Sequence, residues 1–257
     1  MHAGTARIGL VALSLALAQT LLAGAPAGPP GTASASLAGS LTLVQAVPGA
    51  RVDIRIDGQP IRRAVDVGGV VGPVRLSAGR HRITFVRPGA GRVSTRVRIS
   101  AAAPRDVVLH RPAARSGTPV VSTFPTPTGR LAPGTSRLVV SPTASLAPAD
   151  VRVDGRVVFT NIANGEAATT RVRPGRHRVT LVPTGQAAPT VVGPVDVAVA
   201  PGTVTILYAL DGPGTGSGDA IVHTVALRPS GGVAPGTIDT GSAGLAQDLP
   251  LRLFGTG

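Results

Sequence analysis

The chain has no cysteine, no lysine and no tryptophan, and only one tyrosine and four phenylalanines in 257 residues. Without cysteine, a disulfide framework, a thiolate zinc site, a thiol nucleophile and a lipid-modified cysteine are all excluded. The few aromatics leave little for the base-stacking platforms of sequence-independent nucleic-acid binders. No heptad pattern runs through the chain, which excludes a coiled coil. No stretch has a convincing 3.6-residue apolar period, so no glycine loop can cradle a phosphate at a helix start. The serines lack a Gly-x-Ser-x-Gly elbow. What the chain does have is glycine (34), proline (24) and 43% hydrophobic residues, mostly Val, Ala and Leu. That is enough apolar material for cores held by packing alone.

The N-terminus has the order of an export signal. His2 and Arg7 precede an almost wholly apolar stretch from Ile8 to Ala25, and small-x-small sites follow at Ala23-Gly24-Ala25, Ala25-Pro26-Ala27 and Ala33-Ser34-Ala35. This pattern predicts a signal peptide over 1–35, cut after Ala35 or Ala27, and a secreted product with no membrane span after cleavage. An uncleaved anchor is the competing reading, since the run nearly reaches the roughly 18 residues a span needs.

An internal repeat organises the rest. "ARVDIRIDG" from Ala50 returns as "ADVRVDG" from Ala149, and "LSAGRHRITFV" from Leu76 returns as "VRPGRHRVTLV" from Val172. The Asp57-Gly58 and Asp154-Gly155 pairs lie 97 positions apart, and the Gly-Arg-His-Arg blocks 96. A period near a hundred is a domain length, longer than the roughly 20–50 residues of solenoid repeats. Each copy reads as β. Val52, Ile54 and Ile56 alternate with Asp53, Arg55 and Asp57; His81, Ile83 and Phe85 alternate with Arg80, Arg82 and Thr84; and Val93, Thr95, Val97 and Ile99 alternate with Ser94, Arg96 and Arg98. The second copy repeats this with Val151 and Val153, with His177, Val179 and Leu181, with Val195, Val197 and Val199, and with Val204, Ile206 and Tyr208. Asp-Gly pairs turn the chain, and Asn164-Gly165 reads as a hairpin turn. The expected fold is all-β: two tandem Ig-like or prealbumin-like β-sandwich domains after the signal peptide. The first would span 40–111 and the second 137–228, joined by a Pro/Thr/Ser-rich linker over 112–136 and followed by a glycine-rich tail over 229–257.

The second copy resembles the secreted bacterial family known as domain of unknown function 4397. The resemblance rests on Ser141-Pro142, Asp154-Gly155, Pro174-Gly175 and Ala200-Pro201-Gly202-Thr203, within "RLVVSPTASLAPADVRVDGRVVFTNIANGEAATTRVRPGRHRVTLVPTG" and "VAVAPGTVTILYAL". Val140 and Thr143 stand where that family often has a histidine and an acid. The first copy matches more loosely and also looks like the short PEGA β-modules of bacterial surface proteins. The resemblance implies an extracellular β-sandwich, common in actinobacteria, in an envelope setting. It supplies no catalytic residue.

Charge separates the two copies. All 25 basic residues are arginine, a choice that a GC-rich genome explains. Over 41–112 there are 13 Arg against 4 Asp, a net of +9, whereas 137–228 nets +2. In the first copy Arg80, Arg82, Arg96 and Arg98 share outward strand faces, with Arg51, Arg62, Arg63 and Arg92 nearby, and form a candidate surface for a polyanion. The competing reading is structural. Asp53, Arg55 and Asp57 alternate in sign on one strand, and a neighbour bearing Arg80 and Arg82 would pair with them. The same arrangement recurs as Asp150, Arg152 and Asp154 with Arg176 and Arg178.

Little else offers chemistry. His81 and His177 open equivalent strands on the apolar side, which suits polar lids bonded to turn carbonyls better than metal ligands. His110 and His223 look isolated. The carboxylate pairs Asp53/Asp57 and Asp150/Asp154 suggest glycoside hydrolysis, but an interposed arginine would hold both acids ionised. Ile238-Asp239-Thr240-Gly241 resembles a sortase cut site without the apolar span and basic end that should follow. The expected protein is therefore non-catalytic, secreted and associated with the cell envelope, without cofactor or metal. Its expected partner is an anionic cell-wall polymer or another envelope protein, not a specific nucleic acid. The alternative is an extracellular hydrolase or carbohydrate-processing enzyme with an unrecognised site. Nothing in the sequence fixes an oligomeric state.

Overall fold

The alternation of branched aliphatics with polar residues is realised as sixteen strands, with no helix among the described residues. The computed structural model describes residues 38–114, 116–212 and 218–227. The expected signal peptide and the glycine-rich tail, Thr240-Gly241 included, lie outside the described residues.

The first eight strands are β1 (Ala38–Gln45), β2 (Val52–Ile56), β3 (Gln59–Val65), β4 (Val70–Ser77), β5 (Gly79–Arg87), β6 (Gly91–Ile99), β7 (Arg105–His110) and β8 (Val120–Pro125). They form two sheets, in the orders β4-β1-β7-β8 and β3-β2-β5-β6. The next eight are β9 (Ser136–Pro142), β10 (Ala149–Val153), β11 (Arg156–Ile162), β12 (Ala168–Val172), β13 (Gly175–Pro183), β14 (Val192–Val199), β15 (Thr203–Leu210) and β16 (Asp219–Ala226). Their sheets run β12-β9-β15-β16 and β11-β10-β13-β14, the same topology strand for strand. Even the single parallel pairing recurs, β1 with β7 and β9 with β15. The Asp-Gly turns are two-residue turns with both residues at positive φ, 50° and 84° at Asp57-Gly58 and 52° and 80° at Asp154-Gly155. This is the geometry that matches strand twist.

The structure corrects two local expectations. The segment 112–136 is not simply an extended linker, because it contains β8, paired antiparallel to β7 with Val108 opposite Ser122. Serine, threonine and flanking turn formers hide this strand in the sequence, and its order comes from the neighbour that bonds it. Asn164-Gly165 is not a hairpin turn either. It joins β11 to β12, which belong to different sheets, so the chain there crosses from one layer to the next.

Each copy has its own core. Leu41, Leu43, Ile54, Ile83 and Phe85 centre the first, and Leu138, Val151, Val179, Leu181 and Leu207 the second. A third cluster lies between them. Val44, Val108 and Phe124 from the first copy pack with Val204, Ile206, Tyr208 and Ile221 from the second. Val204, Ile206 and Tyr208 therefore do not line the second copy's own core. Every residue of β15 is buried, as is all of β7 except its first. Burial on both sides is the mark of a central strand covered on each face. Equivalent sheets face one another across this layer, so four sheets stack with β3-β2-β5-β6 and β11-β10-β13-β14 outermost.

Candidate anion-binding face

The outermost sheet of the first copy carries the arginines. In β5, Ile83 and Phe85 enter the core and Arg80 and Arg82 face out; in β6, Val97 and Ile99 enter and Arg96 and Arg98 face out. The register sets Arg80 opposite Arg98 and Arg82 opposite Arg96. The structure thus brings together all four residues singled out from the sequence. Arg92 lies further along β6, opposite Val86. Arg55 on β2 stands opposite Thr84, whose hydroxyl meets that of Ser94 at 2.9 Å. Like charges set directly opposite one another on adjacent strands are destabilising.

The charge ladder read from the sequence does not form. Asp53 accepts a hydrogen bond from the backbone N–H of Ala64 at 2.9 Å. Asp57 accepts from the backbone N–H of Arg82 and from Nδ1 of His81, each at 2.7 Å. Its left-handed turn conformation aims the carboxylate at the backbone of β5, and the Arg82 guanidinium acts on it only as a nearby charge. Among the described residues, the arginine–carboxylate pairs are Arg51–Asp66 at 2.8 Å, Arg178–Asp196 at 3.3 Å and Arg111–Asp211 at 3.8 Å. None involves Arg80, Arg82, Arg96 or Arg98.

The second copy supplies an internal control. Arg176 and Arg178 repeat Arg80 and Arg82, but β14 sets Ala198 opposite Arg176 and Asp196 opposite Arg178. Arg152, the counterpart of Arg55, donates to the carbonyls of Gln186 and Ala187 at 3.1 and 3.3 Å. One scaffold therefore presents two opposed arginine pairs in one copy and none in the other, where Arg178 has a carboxylate opposite and Arg176 an alanine.

The histidines and remaining carboxylates serve the scaffold. His81 Nε2 bonds the carbonyl of Ser77 at 2.9 Å, and His177 Nε2 that of Arg173 at 2.8 Å. Sequence reasoning anticipated the carbonyl but missed the acid, since His177 Nδ1 also meets Asp154 at 2.8 Å. The hydrogen bond that His81 donates to Asp57, against the opposing effect of burial and with help from the Ser77 carbonyl, raises the pKa of His81. At His177 burial opposes the charge, yet the Arg173 carbonyl and Asp154 outweigh it and the pKa is raised. Asp57 and Asp154 are lowered, chiefly by the backbone N–H groups of Arg82 and Arg178 and then by their histidines. Asp150 accepts from Asn161 and Gly185, both at 2.9 Å, and is lowered by those amides.

His110 and His223 are not isolated. His110 is fully buried, donates from Nδ1 to the carbonyl of Arg111 at 2.7 Å and accepts at Nε2 from the Ser122 hydroxyl at 2.8 Å. Burial lowers its pKa and keeps the ring neutral. The spacing is that of a nucleophile and its base, but the second nitrogen is held by a carbonyl and Gly165 of the other copy crosses the hydroxyl. A Cβ at Gly165 would lie 3.1 Å from Ser122 Oγ, and the residue sits at φ +82°. The pair is a joint between the copies. His223 Nε2 meets Oδ2 of buried Asp106 at 2.9 Å, and the Tyr208 hydroxyl donates to the same oxygen at 2.7 Å. Thr126 approaches the other oxygen at 3.4 Å. These partners are far apart in sequence, and no local pattern marks them.

Fold and face together define a tandem β-sandwich protein with one arginine-covered outer sheet. Residues 39–149 match the model of the family described as Domain of unknown function (DUF4397), the family whose motifs the sequence resembles. The matched span covers the first sandwich and runs to the start of β10, so it falls on the copy whose motifs resemble the family more loosely. No curated protein matches the chain. Among the described residues, no helix is long and apolar enough to cross a membrane.

Proposed function

We propose that this is a secreted, non-catalytic protein of the cell envelope that adheres to an anionic wall polymer through the outer sheet of its first sandwich. The observation that carries the reading is the two opposed arginine pairs, Arg80/Arg98 and Arg82/Arg96, which form no ion pair with a carboxylate among the described residues, while the second copy sets Ala198 opposite Arg176 and Asp196 opposite Arg178. A cluster that costs stability in one copy and is relieved in the other has a use outside the fold. The N-terminal pattern supports export. The non-catalytic reading is supported by Asp57, Asp150 and Asp154, which are lowered by backbone amides, whereas a general acid needs a raised pKa. The test is sedimentation of the purified protein with isolated cell wall at rising salt. Binding should be released by salt and lost when Arg80, Arg82, Arg96 and Arg98 become Ser. Binding that survives both changes would sink the reading.

A further inference from the structure

We propose that the polymer is a linear polyphosphodiester lying along β5 and β6, and that the face selects it by length. This rests on the function proposed above and narrows the ligand. Successive outward positions on a strand recur at about 6.7 Å, and neighbouring strands lie about 4.8 Å apart. From Arg92 to Arg98 the outward row of β6 therefore runs about 20 Å, flanked by Arg80 and Arg82 on β5. These arginines stand on an open sheet and are exposed. No wall encloses a single small anion there, so each contact is individually weak and affinity has to accumulate along a chain.

The opposed pairs favour phosphate over carboxylate. A carboxylate accepts hydrogen bonds best in its own plane, where one guanidinium fork can satisfy it. The non-bridging oxygens of a phosphodiester sit on a tetrahedral phosphorus and accept from many directions, so an arginine from each strand can reach one of them. Arg80/Arg98 and Arg82/Arg96 offer that arrangement twice in succession. Phosphodiesters joined by short carbon spacers present their charges at a comparable interval when extended.

The experiment measures binding of the full mature chain to base-free abasic oligodeoxynucleotides of about two, four, eight and sixteen phosphates, with oligogalacturonates of matched charge alongside. The dissociation constant is expected to fall at least tenfold between the shortest and the eight-phosphate chain, and phosphodiester chains are expected to bind more tightly than carboxylate chains. Equal affinity for the shortest and longest chains, or an equal or tighter galacturonate complex, overturns the proposal. The variant carrying Arg96→Asp and Arg98→Ala has the residues the second copy uses at these positions, so it should fold, which its melting curve checks. If long chains bind this variant as tightly as the parent, the arginine face itself is not the site and the proposed function fails too. If binding depends on these arginines but not on length, only the present inference fails.

Discussion

His81 and His177 each have an acceptor at both ring nitrogens, a carboxylate at Nδ1 and a carbonyl at Nε2. Neither acceptor can donate while the acid is ionised, so the geometry is that of the imidazolium, donating from both nitrogens. A histidine whose folded pKa is raised contributes stability that is complete below its unfolded value near 6.5 and is lost as pH rises through the folded value. The two aspartates, lowered from 3.8, contribute stability present above that value and lost as pH falls through the folded one. The clasps therefore act together in mildly acidic solution. Urea midpoints of the parent and of Asp57→Asn/Asp154→Asn, measured across pH, should differ most between about 4 and 6.5, converge below that range and narrow only in part above it, where the backbone bonds to the aspartates remain. For one clasp the loss should be about 1 kcal/mol, because the groups are partly exposed. A difference that does not vary with pH would contradict the imidazolium. The polar lid and its carbonyl were legible from the strand-start position of each histidine, but the aspartate was not, because only the fold brings it there from more than twenty residues away.

The contrast between the β5–β6 and β13–β14 hairpins turns on a few positions. Replacing Arg96 with Asp copies the second hairpin, where Asp196 meets Arg178 at 3.3 Å. This should stabilise the first sandwich by about 0.2–1 kcal/mol, since a repulsive cross-strand pair becomes attractive. Thermal unfolding at low salt checks it, and the gain should shrink as salt rises. The same substitution should weaken polymer binding, so stability and binding move in opposite directions. At this scale the sequence was most readable. Period-two alternation located the central strands β2, β5, β10 and β13 and the edge strands β6 and β14, and the Asp-Gly pairs located the β2–β3 and β10–β11 turns. The edge strands β3 and β8 were the least readable. All but the last residue of β3 is exposed, and β8 lies among prolines and serines, so neither shows a buried stripe.

Across the whole molecule, the middle layer makes the two copies one body. Asp106 and Tyr208 are buried and bonded, although 102 positions separate them in sequence. Burial and the nearby Asp106 raise the Tyr208 pKa well above 10.0, so the phenol remains a donor. Tyr208→Phe removes one partner of a buried carboxylate and should cost about 1–3 kcal/mol, read from denaturant unfolding. Calorimetry of the parent should give one transition, whereas Ile206→Glu, which buries a charge in this layer, should separate the copies into two. A single transition in both proteins would mean that the layer does not couple them. The tandem copies were visible from the repeat, but their joint was not. Its apolar residues keep the same alternation as a private core, and the sequence cannot say which side of a doubly covered strand meets which neighbour. Because like sheets meet in the middle, the sheet with opposed arginines and its less basic counterpart occupy opposite ends of the stack. With one such arginine face among the described residues, the proposed attachment would decorate a polymer without knitting chains together, and saturating it should leave a wall suspension as fluid as before.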